Sequence, residues 1–399
     1  MSFRFATEEV TESLVTLTIP KLSLFARGTS EYIPSEAPVF YNPLMELNRD
    51  LAILALRIYQ KRVNQQLRIC DPFTGCGVRG IRFAREVYGV GLVVLNDLSS
   101  QAAELAQHNV EKNGLKEKIA VENMDARSLL GSYTSHKGFD VIDLDPYGSP
   151  SPFLDFALVA LKNRGLLALT ATDTAPLCGV NPRACIRKYH GKPLRTEYSH
   201  ELALRLLINS IVFSAAKYDL GVNVLFSHST DHYIRAYVQV RHGAEHANET
   251  IENIGYILHC FTCLNRKWIY GLPSSLDRKC DVCDGELSVG GPMWLGKLYD
   301  EDFCRKMREE AEKNSPIRKK RLLQILVLSL NEVNMPPTYF VVDKICEKLG
   351  LSAVSRDRTV KEIIKMGYSA ERTHFDPQGI KSNASISVIK EAVKKTISY

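Results

Sequence analysis

The stretch Leu67-Arg-Ile-Cys-Asp-Pro-Phe-Thr-Gly-Cys-Gly-Val-Arg-Gly80 decides the fold of this chain. Its first residues read as a buried strand that ends at Asp71, and a helical pattern follows over residues 78–88. Between them, Gly75 and two later glycines fit G-x-G-x-x-G, and Asp97 closes the next strand about twenty residues further on. Glycine lets a backbone approach a ligand closely, and an acid at that distance binds ribose hydroxyls. The stretch therefore predicts a nucleotide-type cofactor loop.

Strands and helices alternate along the chain around this loop. The strands end at five successive aspartates, which are Asp71, Asp97, Asp125, Asp145 and Asp173. This alternation predicts an α/β fold with a doubly wound, Rossmann-like parallel sheet, in which ligands bind beyond the carboxyl ends of the strands. A single aspartate at such a place is most often a turn or helix-cap residue. Five in succession indicate a binding edge.

The remaining pattern divides the chain into two domains. Predicted helices cover residues 43–61, 78–88, 99–113, 152–162, 197–219, 301–314 and 317–333, and a hairpin over 222–227 and 233–240 is expected to close the sheet. Residues 1–45 read as a strand or two followed by an ordered loop. Because the pattern changes beyond about residue 242, we expect a catalytic domain over 1–245, with 1–45 as an extension, and a C-terminal domain over 246–399.

Asp71 helps to identify the cofactor. It directly precedes the glycine loop, where the pyrophosphate of a nicotinamide dinucleotide would sit and where a carboxylate would repel it. S-adenosylmethionine has no phosphate but carries a cationic amino group and a sulfonium, which a carboxylate attracts. We therefore expect an S-adenosylmethionine-dependent methyltransferase, with Asp97 on the ribose and Asp125 and Ala126 beside the adenine.

Asp145-Pro-Tyr-Gly148 follows the fourth strand and indicates the reaction. An exocyclic base amine is a poor nucleophile, because its lone pair is delocalised into the ring. The Asp145 carboxylate and a carbonyl of Asp145 or Pro146 would accept both amine hydrogens, and Tyr147 would stack on the base. The alternative is an ordinary proline-glycine turn. We expect Asp143 to point to the opposite face of the strand and to have a structural or indirect role.

Four cysteines form a pattern, Cys260-Phe-Thr-Cys263 and Cys280-Asp-Val-Cys283, with sixteen residues between the pairs. This spacing predicts a structural Cys₄ zinc ribbon over residues 256–290, since four sulfur ligands leave no open position for a substrate. Four unrelated buried cysteines are the alternative. The other six cysteines, which are scattered, read as buried thiols.

Charge and hydropathy indicate the partner. Of the net charge of +6, the whole surplus lies in residues 301–399, which hold 19 Lys and Arg against 13 Asp and Glu. Basic clusters at 318–321 and at Arg356, Arg358, Lys361 and Lys365 therefore predict a polyanionic partner, although a solvated surface is the alternative. No apolar run is long enough for a membrane span, and no secretory signal opens the chain, so we expect a cytoplasmic protein.

Several of these motifs together resemble one family, the tRNA guanosine-26 N2-dimethyltransferases. The matching segments are Pro38-Val-Phe-Tyr-Asn-Pro43, Asn48-Arg-Asp50, Asp71 to Gly80, Asp143-Leu-Asp-Pro-Tyr-Gly-Ser-Pro150, Thr170-Ala-Thr-Asp-Thr-Ala-Pro-Leu-Cys-Gly179, Asp231-His-Tyr-Ile-Arg-Ala236 and Arg372-Thr-His-Phe375. They spread over nearly the whole chain. The resemblance implies that the C-terminal domain is an α+β tRNA-binding domain.

The resemblance also assigns roles to single residues. It implies that Arg49, Arg79, Asp97, Asp125 and Ala126 contact S-adenosylmethionine, that Asp145 is the catalytic carboxylate, and that Phe40 and Tyr147 flank the guanine. Taken without it, Arg49 reads as a surface cation of a helix and Phe40 as a core aromatic. His374 reads as a residue that satisfies a local hydrogen bond rather than as an acid-base catalyst.

Three functions remain open at this point. The first is methylation of the N2 of a tRNA guanosine, once or twice, and the second is methylation of another exocyclic amine, such as adenine N6 or a ribosomal guanine. The third is an RNA-binding protein that keeps the methyltransferase fold without catalysis. The intact Asp97, Asp145 and glycine loop favour an enzyme. The oligomeric state stays open, and a monomer is compatible with the sequence.

Overall fold

A computed structural model gives the structure of the chain and describes residues 3–27, 31–134, 136–230, 232–313 and 319–397. The strands are β1 (Thr7–Glu12), β2 (Val15–Pro20), β3 (Ala26–Arg27), β4 (Glu31–Tyr32), β5 (Leu67–Asp71), β6 (Val90–Asn96), β7 (Ile119–Glu122), β8 (Phe139–Leu144), β9 (Leu161–Ala171), β10 (Leu220–Thr230), β11 (Tyr233–His242), β12 (Ile254–His259), β13 (Arg266–Tyr270), β14 (Ser288–Trp294), β15 (Phe340–Val341), β16 (Ala370–Arg372) and β17 (Gly379–Ser382).

The α-helices are α1 (Glu46–Val63), α2 (Val78–Glu86), α3 (Ser100–Lys112), α4 (Ala126–Gly131), α5 (Leu154–Ala160), α6 (Thr174–Leu177), α7 (Pro182–Tyr189), α8 (Ser199–Ala216), α9 (Ala244–Ile251), α10 (Glu301–Lys313), α11 (Lys319–Glu332), α12 (Val342–Leu349), α13 (Arg356–Lys365) and α14 (Ile386–Ile397). Within the described ranges, no helix combines the length and the apolar character that a membrane crossing needs.

The chain divides into two compact units. The first comprises Met1–Pro146, Pro152–Leu169 and Lys306–Leu323. The second comprises Tyr147–Ser151, Thr170–Arg305 and Gln324–Tyr399. Asp231 and Arg318, which belong to two of the predicted motifs, lie outside the described residues.

The first unit contains the parallel sheet. Its strands follow the order β9-β8-β5-β6-β7, and each neighbouring pair is parallel. Along the chain this is the doubly wound order, which reverses direction between β5 and β8. All six residues of β8 are buried, as expected of a strand covered on both faces. The prediction of a Rossmann-like sheet is confirmed, and its switch point lies between the strands that end near Asp71 and Asp145.

The N-terminal segment of the first unit forms a docked hairpin of β1 and β2. The side chain of Asn109 on α3 accepts a hydrogen bond from Thr18 N at 2.7 Å and donates to Thr18 O at 2.9 Å. Asn113 does the same for Thr16, at 3.1 and 2.8 Å. These two amides satisfy backbone groups of β2 that have no strand partner on that side, so they attach the extension to the sheet domain.

Several predicted helix ends differ from the structure by up to three residues, and two of them have a clear local cause. The helix expected over residues 43–61 starts at Glu46, because Asn42 accepts a hydrogen bond from Leu44 N and a 3₁₀ turn covers Pro43–Met45. The helix expected over 152–162 ends at Ala160, and the next residue already begins β9. Both errors concern element ends, where apolar residues fit either structure equally well.

The second unit is built from antiparallel strands and helices. β10 and β11 form the predicted hairpin, with an irregularity between Val224 and Phe226. Thr170, near the end of β9, belongs to this unit, and its hydroxyl accepts a hydrogen bond from the buried Arg235 of β11 at 2.5 Å. Two further three-stranded sheets follow the orders β13-β12-β14 and β15-β17-β16.

A buried charge network connects α8 with β17 in the second unit. Glu201 on α8 pairs with Arg205 at 2.8 Å and with Lys381 of β17 at 2.8 Å, and it accepts a hydrogen bond from Thr338 N at 3.0 Å. Burial raises the pKa of Glu201, but the two cations outweigh it and lower the pKa to about 2. Because removing one partner of such a pair leaves an uncompensated buried charge, the network fixes β17 relative to α8.

Gly80 provides a test of the close packing of α2 on the sheet. A Cβ at this position would lie 2.1 Å from Leu95 Cδ2 and 3.2 Å from Val93 Cγ1, both on β6. We expect Gly80→Ala to lower the free energy of unfolding by roughly 1–3 kcal/mol, because the buried strand cannot give way freely. The matched control is Gly131→Ala, whose Cβ would make an ordinary 3.6 Å contact with Phe156. Equal denaturant midpoints for the two variants would contradict the packing argument.

Candidate active site and metal centre

The cofactor loop depends on two glycines in the left-handed region. Gly75 has φ +54° and Gly77 has φ +87°, and Gly77 precedes α2 as its N-cap. A Cβ on Gly75 would lie 2.8 Å from the carbonyl oxygen of Phe40, so the loop packs directly on that segment. The backbone N–H of Gly75 donates to Asp97 Oδ2 at 3.0 Å. The glycine loop and the acid of the next strand therefore lie together, as the fingerprint requires.

Asn96 organises the ends of the strands in the first unit. Its side chain is fully buried and donates to Pro72 O at 3.2 Å and to Met124 O at 3.0 Å, and it accepts from Met124 N at 3.1 Å. One amide thus connects the loops after β5, β6 and β7. Asp97, the next residue, also accepts from Ser99 N at 2.9 Å, which orients its carboxylate.

Asp125 and Ala126 lie at the start of α4. Asp125 is the N-cap and accepts a hydrogen bond from Arg127 N at 2.8 Å, and its carboxylate also pairs with the Arg127 guanidinium. Hydrogen bonds from Arg127 lower the pKa of Asp125 to about 2, so this carboxylate is ionised at neutral pH. Ala126 is buried. The geometry is compatible with both the predicted adenine contact and a helix cap.

Three carboxylates and one guanidinium meet at the switch point of the sheet. Arg79 of α2, only 5% exposed, pairs with Asp145 and lies 3.7 Å from Asp143, measured from NH1 to Oδ2. Asp71, at the end of the neighbouring strand, is 1% exposed and accepts a hydrogen bond from the Thr74 hydroxyl at 3.1 Å. Arg79 thus faces three acids in a buried setting.

Asp71 has a strongly perturbed pKa. Burial, reinforced by the Asp143 carboxylate, raises the pKa of Asp71 to about 7, against the opposing influence of Arg79 and Thr74. The cluster therefore has excess negative charge that it relieves by binding a proton. A cationic ligand such as an ammonium or sulfonium group would relieve it in the same way, which agrees with the cofactor predicted from the sequence.

The expectation that Asp143 points away from Asp145 is wrong. Both carboxylates reach the guanidinium of Arg79, so they lie on the same side of the sheet. Residues two apart along an extended chain project to the same face, which is the physical reason for the correction. Asp145 differs from Asp143 in exposure, since its side chain is 19% exposed and that of Asp143 is fully buried.

Arg49 and Phe40 also differ from the expectations based on single residues. Arg49 is buried rather than at the surface: its Nε donates to Glu12 Oε1 at 2.6 Å, and NH2 donates to Asn42 O at 3.2 Å. Glu12, in turn, pairs with Arg82 at 2.8 Å. Phe40 is 46% exposed and does not belong to the core. An exposed ring next to the glycine loop suits a ligand contact better than packing.

The loop after Asp145 and Pro146 presents one large exposed ring. Pro146 is buried, whereas the side chain of Tyr147 is 83% exposed. Gly148 has φ +86°, and it exchanges two hydrogen bonds with Thr172: N to Oγ1 at 2.8 Å, and O from N at 3.0 Å. The backbone of the loop is therefore fixed while the ring of Tyr147 extends into solvent.

Side chains of the second unit hold the rest of this loop. Ser149 Oγ lies 2.8 Å from the hydroxyl of the buried Tyr189, which also donates to Asp173. Lys188 Nζ donates to Asp173 Oδ2 at 2.9 Å, and Ser151 Oγ donates to Lys188 O at 2.8 Å. Asp173, predicted as a strand-end acid of the binding edge, is thus engaged in holding the loop.

The four predicted metal ligands come together in the second unit. Their sulfur atoms all lie within 4.8 Å of one another, with Cys260 and Cys283 at 3.5 Å and Cys263 and Cys280 at 3.6 Å. A tetrahedral zinc site with Zn–S bonds of about 2.3 Å has sulfur–sulfur edges of about 3.8 Å. The quartet can therefore hold a zinc ion, and the prediction of a Cys₄ site agrees with the structure.

Two equivalent turns carry these cysteines. Cys260 accepts a hydrogen bond at its carbonyl from Leu264 N and donates to Asn265 O, and Cys280 has the same bonds with Asp284 and Gly285, all at 2.8–2.9 Å. The residue after each pair, Leu264 or Asp284, has positive φ. Each turn directs two thiols to one point, which is the arrangement of a zinc knuckle.

His374 has a structural role, as expected. Ser229 N donates to its Nε2 at 3.3 Å, so Nδ1 carries the proton and faces Glu332 Oε1 at 2.9 Å. Glu332 also accepts hydrogen bonds from the Thr373 hydroxyl at 3.0 Å and from His374 N at 2.8 Å. The imidazole is buried and engaged at both nitrogens, which suits a local hydrogen-bonding role rather than catalysis.

Comparison with known proteins identifies the family. The sequence model of the N2,N2-dimethylguanosine tRNA methyltransferase family matches residues 15–394. The chain belongs to this family. It is 45% identical to the tRNA (guanine(26)-N(2))-dimethyltransferase of Methanobrevibacter smithii over 91% of this chain and 92% of that protein. It is 36% identical to the tRNA (guanine(26)-N(2)/guanine(27)-N(2))-dimethyltransferase of Aquifex aeolicus over 97% and 95%.

A solved member of this methyltransferase family has the same fold. The complex structure of Trm1 from Pyrococcus horikoshii with S-adenosyl-L-methionine is similar to this chain with a TM-score of 0.84 and 38% sequence identity. The match covers 96% of this chain and 99% of that one. The resemblance inferred from the sequence motifs is confirmed at the level of the family and the fold.

Sequence reasoning on this methyltransferase missed three contributors to the site. Asn96 and Glu12 act through contacts that no local motif reveals, since Glu12 reaches Arg49 from a hairpin 37 positions away. Tyr189 was not singled out, although it directs its hydroxyl to the loop that carries Tyr147. Of the three residues, only Asn96 had a signal in the sequence, because it is a polar residue that directly precedes the strand-end acid Asp97.

Removal of the metal tests the Cys₄ site. Elemental analysis should give one zinc per chain, and a strong chelator should lower the thermal midpoint by roughly 5–10 °C, because metal binding stabilises the folded ribbon. Without chelator, the thermal midpoint of Cys283→Ser should be similar to that of the chelator-treated wild type. Cys178→Ser, which lies outside the quartet, is the control. A chelator-insensitive midpoint in the wild type would contradict the site.

The pH dependence of stability tests the Asp71 assignment. The carboxyl group has a folded pKa of about 7 against 3.8 when unperturbed, so the folded chain binds its proton more tightly. Wild-type stability should therefore fall, relative to that of Asp71→Asn, as the pH rises from 4 towards 7. Between pH 5 and pH 8 the difference should grow by on the order of 2–3 kcal/mol in urea unfolding. Parallel pH profiles of the two proteins would refute the assignment.

Proposed function

We propose that this chain transfers methyl groups from S-adenosylmethionine to the exocyclic N2 of guanosine 26 in tRNA, with Asp145 as the catalytic carboxylate. The single observation that carries the assignment of Asp145 is its position. It directly follows β8 at the switch point of the sheet and pairs with Arg79 from the helix after the glycine loop. Its side chain is 19% exposed, whereas those of Asp71 and Asp143 are buried, so of these three acids Asp145 is the one most accessible to a substrate amine.

The charges of the first unit fit S-adenosylmethionine. Asp71, Asp143 and Asp145 give the cluster excess negative charge beside a glycine loop that brings backbone close to a ligand. The cofactor supplies an electrophilic methyl group on a cationic sulfur. We assign Arg49, Asp71, Gly75, Arg79, Asp97, Asp125 and Ala126 to its binding, with Asp97 on the ribose and Asp125 and Ala126 at the adenine.

Asp145 prepares the amine for transfer. Its carboxylate and a carbonyl of Asp145 or Pro146 accept the two amine hydrogens, which localises the nitrogen lone pair towards the methyl carbon. A carboxylate has about four acceptor sites, so Asp145 can accept an amine hydrogen while it stays paired with Arg79. When the nitrogen–carbon bond forms, the bond to sulfur breaks with its electron pair on sulfur. The nitrogen then releases a proton, which Asp145 accepts.

Two exposed rings hold the base. We assign Phe40, which is 46% exposed, and Tyr147, which is 83% exposed, to the two faces of the guanine. Stacking on an aromatic ring contributes about 1–3 kcal/mol per base, which helps to offset the cost of unstacking the nucleotide. The hydrogen bonds of Gly148 with Thr172 fix the backbone next to Tyr147, from which the exposed ring extends.

We also propose a functional division of the chain. Residues 1–245 would carry methyl transfer, and residues 246–399 would bind tRNA, with the zinc ribbon over 256–290 as a structural part. The excess of basic residues after position 300 supports this division. We place the protein in the cytoplasm, and its ten free cysteine thiols fit a reducing compartment.

Nucleoside mass spectrometry tests the function. The protein is incubated with an unmodified tRNA transcript and S-adenosylmethionine, and the tRNA is then digested to nucleosides. We expect N2,N2-dimethylguanosine, and a transcript with adenosine at position 26 should not yield it. A different methylated base would indicate another exocyclic-amine methyltransferase. Binding without any methylated base would indicate a non-catalytic RNA-binding protein.

Substitution of Asp145 tests the proposed catalytic role. Asp145→Asn keeps the shape of the side chain but removes the charge, so kcat should fall by roughly 10²–10⁴-fold while S-adenosylmethionine still binds. Calorimetry measures the second property separately. Asp155→Asn, on the helix after the same loop, is the matched control and should retain normal turnover. Near-normal turnover of Asp145→Asn would exclude this residue as the catalytic carboxylate.

A further inference from the structure

The C-terminal part of the second unit has the topology of a helix-turn-helix module. β15, α12, α13, β16 and β17 follow one another along the chain, and the strands pair in the order β15-β17-β16. Gly350, with φ +65°, ends α12 and starts the turn to α13. In modules of this topology the second helix of the pair contacts nucleic acid. That helix is α13.

One face of α13 is buried and fixes the helix. Thr359 and Ile363 are fully buried, and Ile363 packs in a hydrophobic cluster with residues of α12, α14 and the small sheet. Ser355 caps the helix by accepting a hydrogen bond from Arg358 N at 3.4 Å. The orientation of α13 is therefore set from one side, and the opposite side is presented to solvent.

The opposite face of α13 carries a stripe of cations. Arg358, Lys361 and Lys365 follow at spacings of three and four, so they lie on one face of the helix, and all three are exposed. Lys365 pairs with Glu362. Among the described residues, no ion pair joins Arg358 or Lys361 to an acid. The charges of Arg358 and Lys361 are therefore not needed for these ion pairs, unlike that of Arg356, which contacts Asp357 at 3.0 Å.

The hairpin of β16 and β17 is not available for the same purpose. In helix-turn-helix modules that carry such a β-hairpin, the loop between the two strands often contacts nucleic acid as well. Here that loop contains Thr373 and His374, both bound to Glu332, and the ring of Phe375 is buried. The loop is thus directed into the protein, whereas α13 presents its cationic face to solvent.

On the basis of the proposed function, we infer that the stripe of Arg358, Lys361 and Lys365 binds the phosphate backbone of tRNA. The tRNA-binding role is thereby assigned to one face of α13. A-form RNA has a deep and narrow major groove that side chains cannot read, so α13 does not read bases there. Its cations contact phosphates across a stem, which gives affinity and orientation without sequence preference. The exposed Ile364 and Tyr368 border the stripe.

The test replaces the stripe in the full-length chain with Arg358→Gln, Lys361→Gln and Lys365→Gln. Glutamine favours a helix nearly as well as lysine, so the thermal midpoint should not change. The dissociation constant for tRNA should rise by roughly 10–100-fold, and the slope of its logarithm against the logarithm of salt concentration should fall by about 2–3. The value of kcat at saturating tRNA and the affinity for S-adenosylmethionine should stay as in the wild type.

The matched control carries the same charge change on α14 of the same module, with Lys390→Gln, Lys394→Gln and Lys395→Gln. Its tRNA binding should remain close to that of the wild type. Equal weakening by both triple variants would reduce the effect to net charge and overturn the inference, as would a stripe variant with wild-type affinity and salt slope. Lys361→Glu alone gives the same decision if the triple variant is unstable.

Failure of the proposed function remains distinguishable. Binding is measured by fluorescence anisotropy of labelled tRNA and needs no methyl transfer. If the wild-type protein binds tRNA through α13 but forms no methylated guanosine, the proposed reaction is wrong, while the proposal that α13 binds tRNA still holds. A wild-type protein that methylates tRNA and tolerates loss of the stripe would leave the reaction intact and remove the α13 surface.

Discussion

The arrangement of the first unit depends on the pairing of the Arg79 guanidinium with several acids at the switch point of the sheet. Arg79 pairs with Asp145 and lies close to Asp143, and Asp71 from the neighbouring strand shares the same enclosed space. Isolated charges of one sign are unfavourable inside a protein, so this cation makes the cluster possible. The doubly wound order brings α2 and the ends of β5 and β8 together. The strand order and the glycine loop thus place Arg79 of α2 where its charge can balance the acids at the ends of β5 and β8.

A second layer of contacts holds the site in shape from outside. Asn96 links three loops through its amide, and the N-terminal hairpin brings Glu12 to Arg49 and Arg82. In the second unit, Tyr189 and Thr172 hold the loop around Gly148. Asn96, Glu12 and Tyr189 need not touch a ligand themselves. Within each unit, their contacts reduce the number of conformations that the neighbouring loops can adopt.

The sequence predicted the parts of this site that follow from periodicity. Parallel strands end at one edge, so the positions of Asp71, Asp97 and Asp145 followed from the strand pattern. The cysteine spacing predicted the quartet, because each pair forms a local turn. The common side of Asp143 and Asp145 was misjudged, although the period of an extended chain already places residues two apart on one face. Contacts between distant segments were not predictable, since the burial of Arg49 depends on Glu12. Such pairings are decided by tertiary packing, which leaves no regular trace in a single sequence.

The two knuckles of the zinc ribbon have a consequence for the unfolded chain. An ion bound by Cys260 and Cys283 ties together the ends of a segment of 24 residues. Such a cross-link acts like a disulfide, because it removes conformations from the unfolded ensemble, and this effect grows slowly with the length of the closed loop. Unlike a disulfide, it does not require an oxidising compartment. A ribbon of this size can thereby remain ordered among reduced thiols.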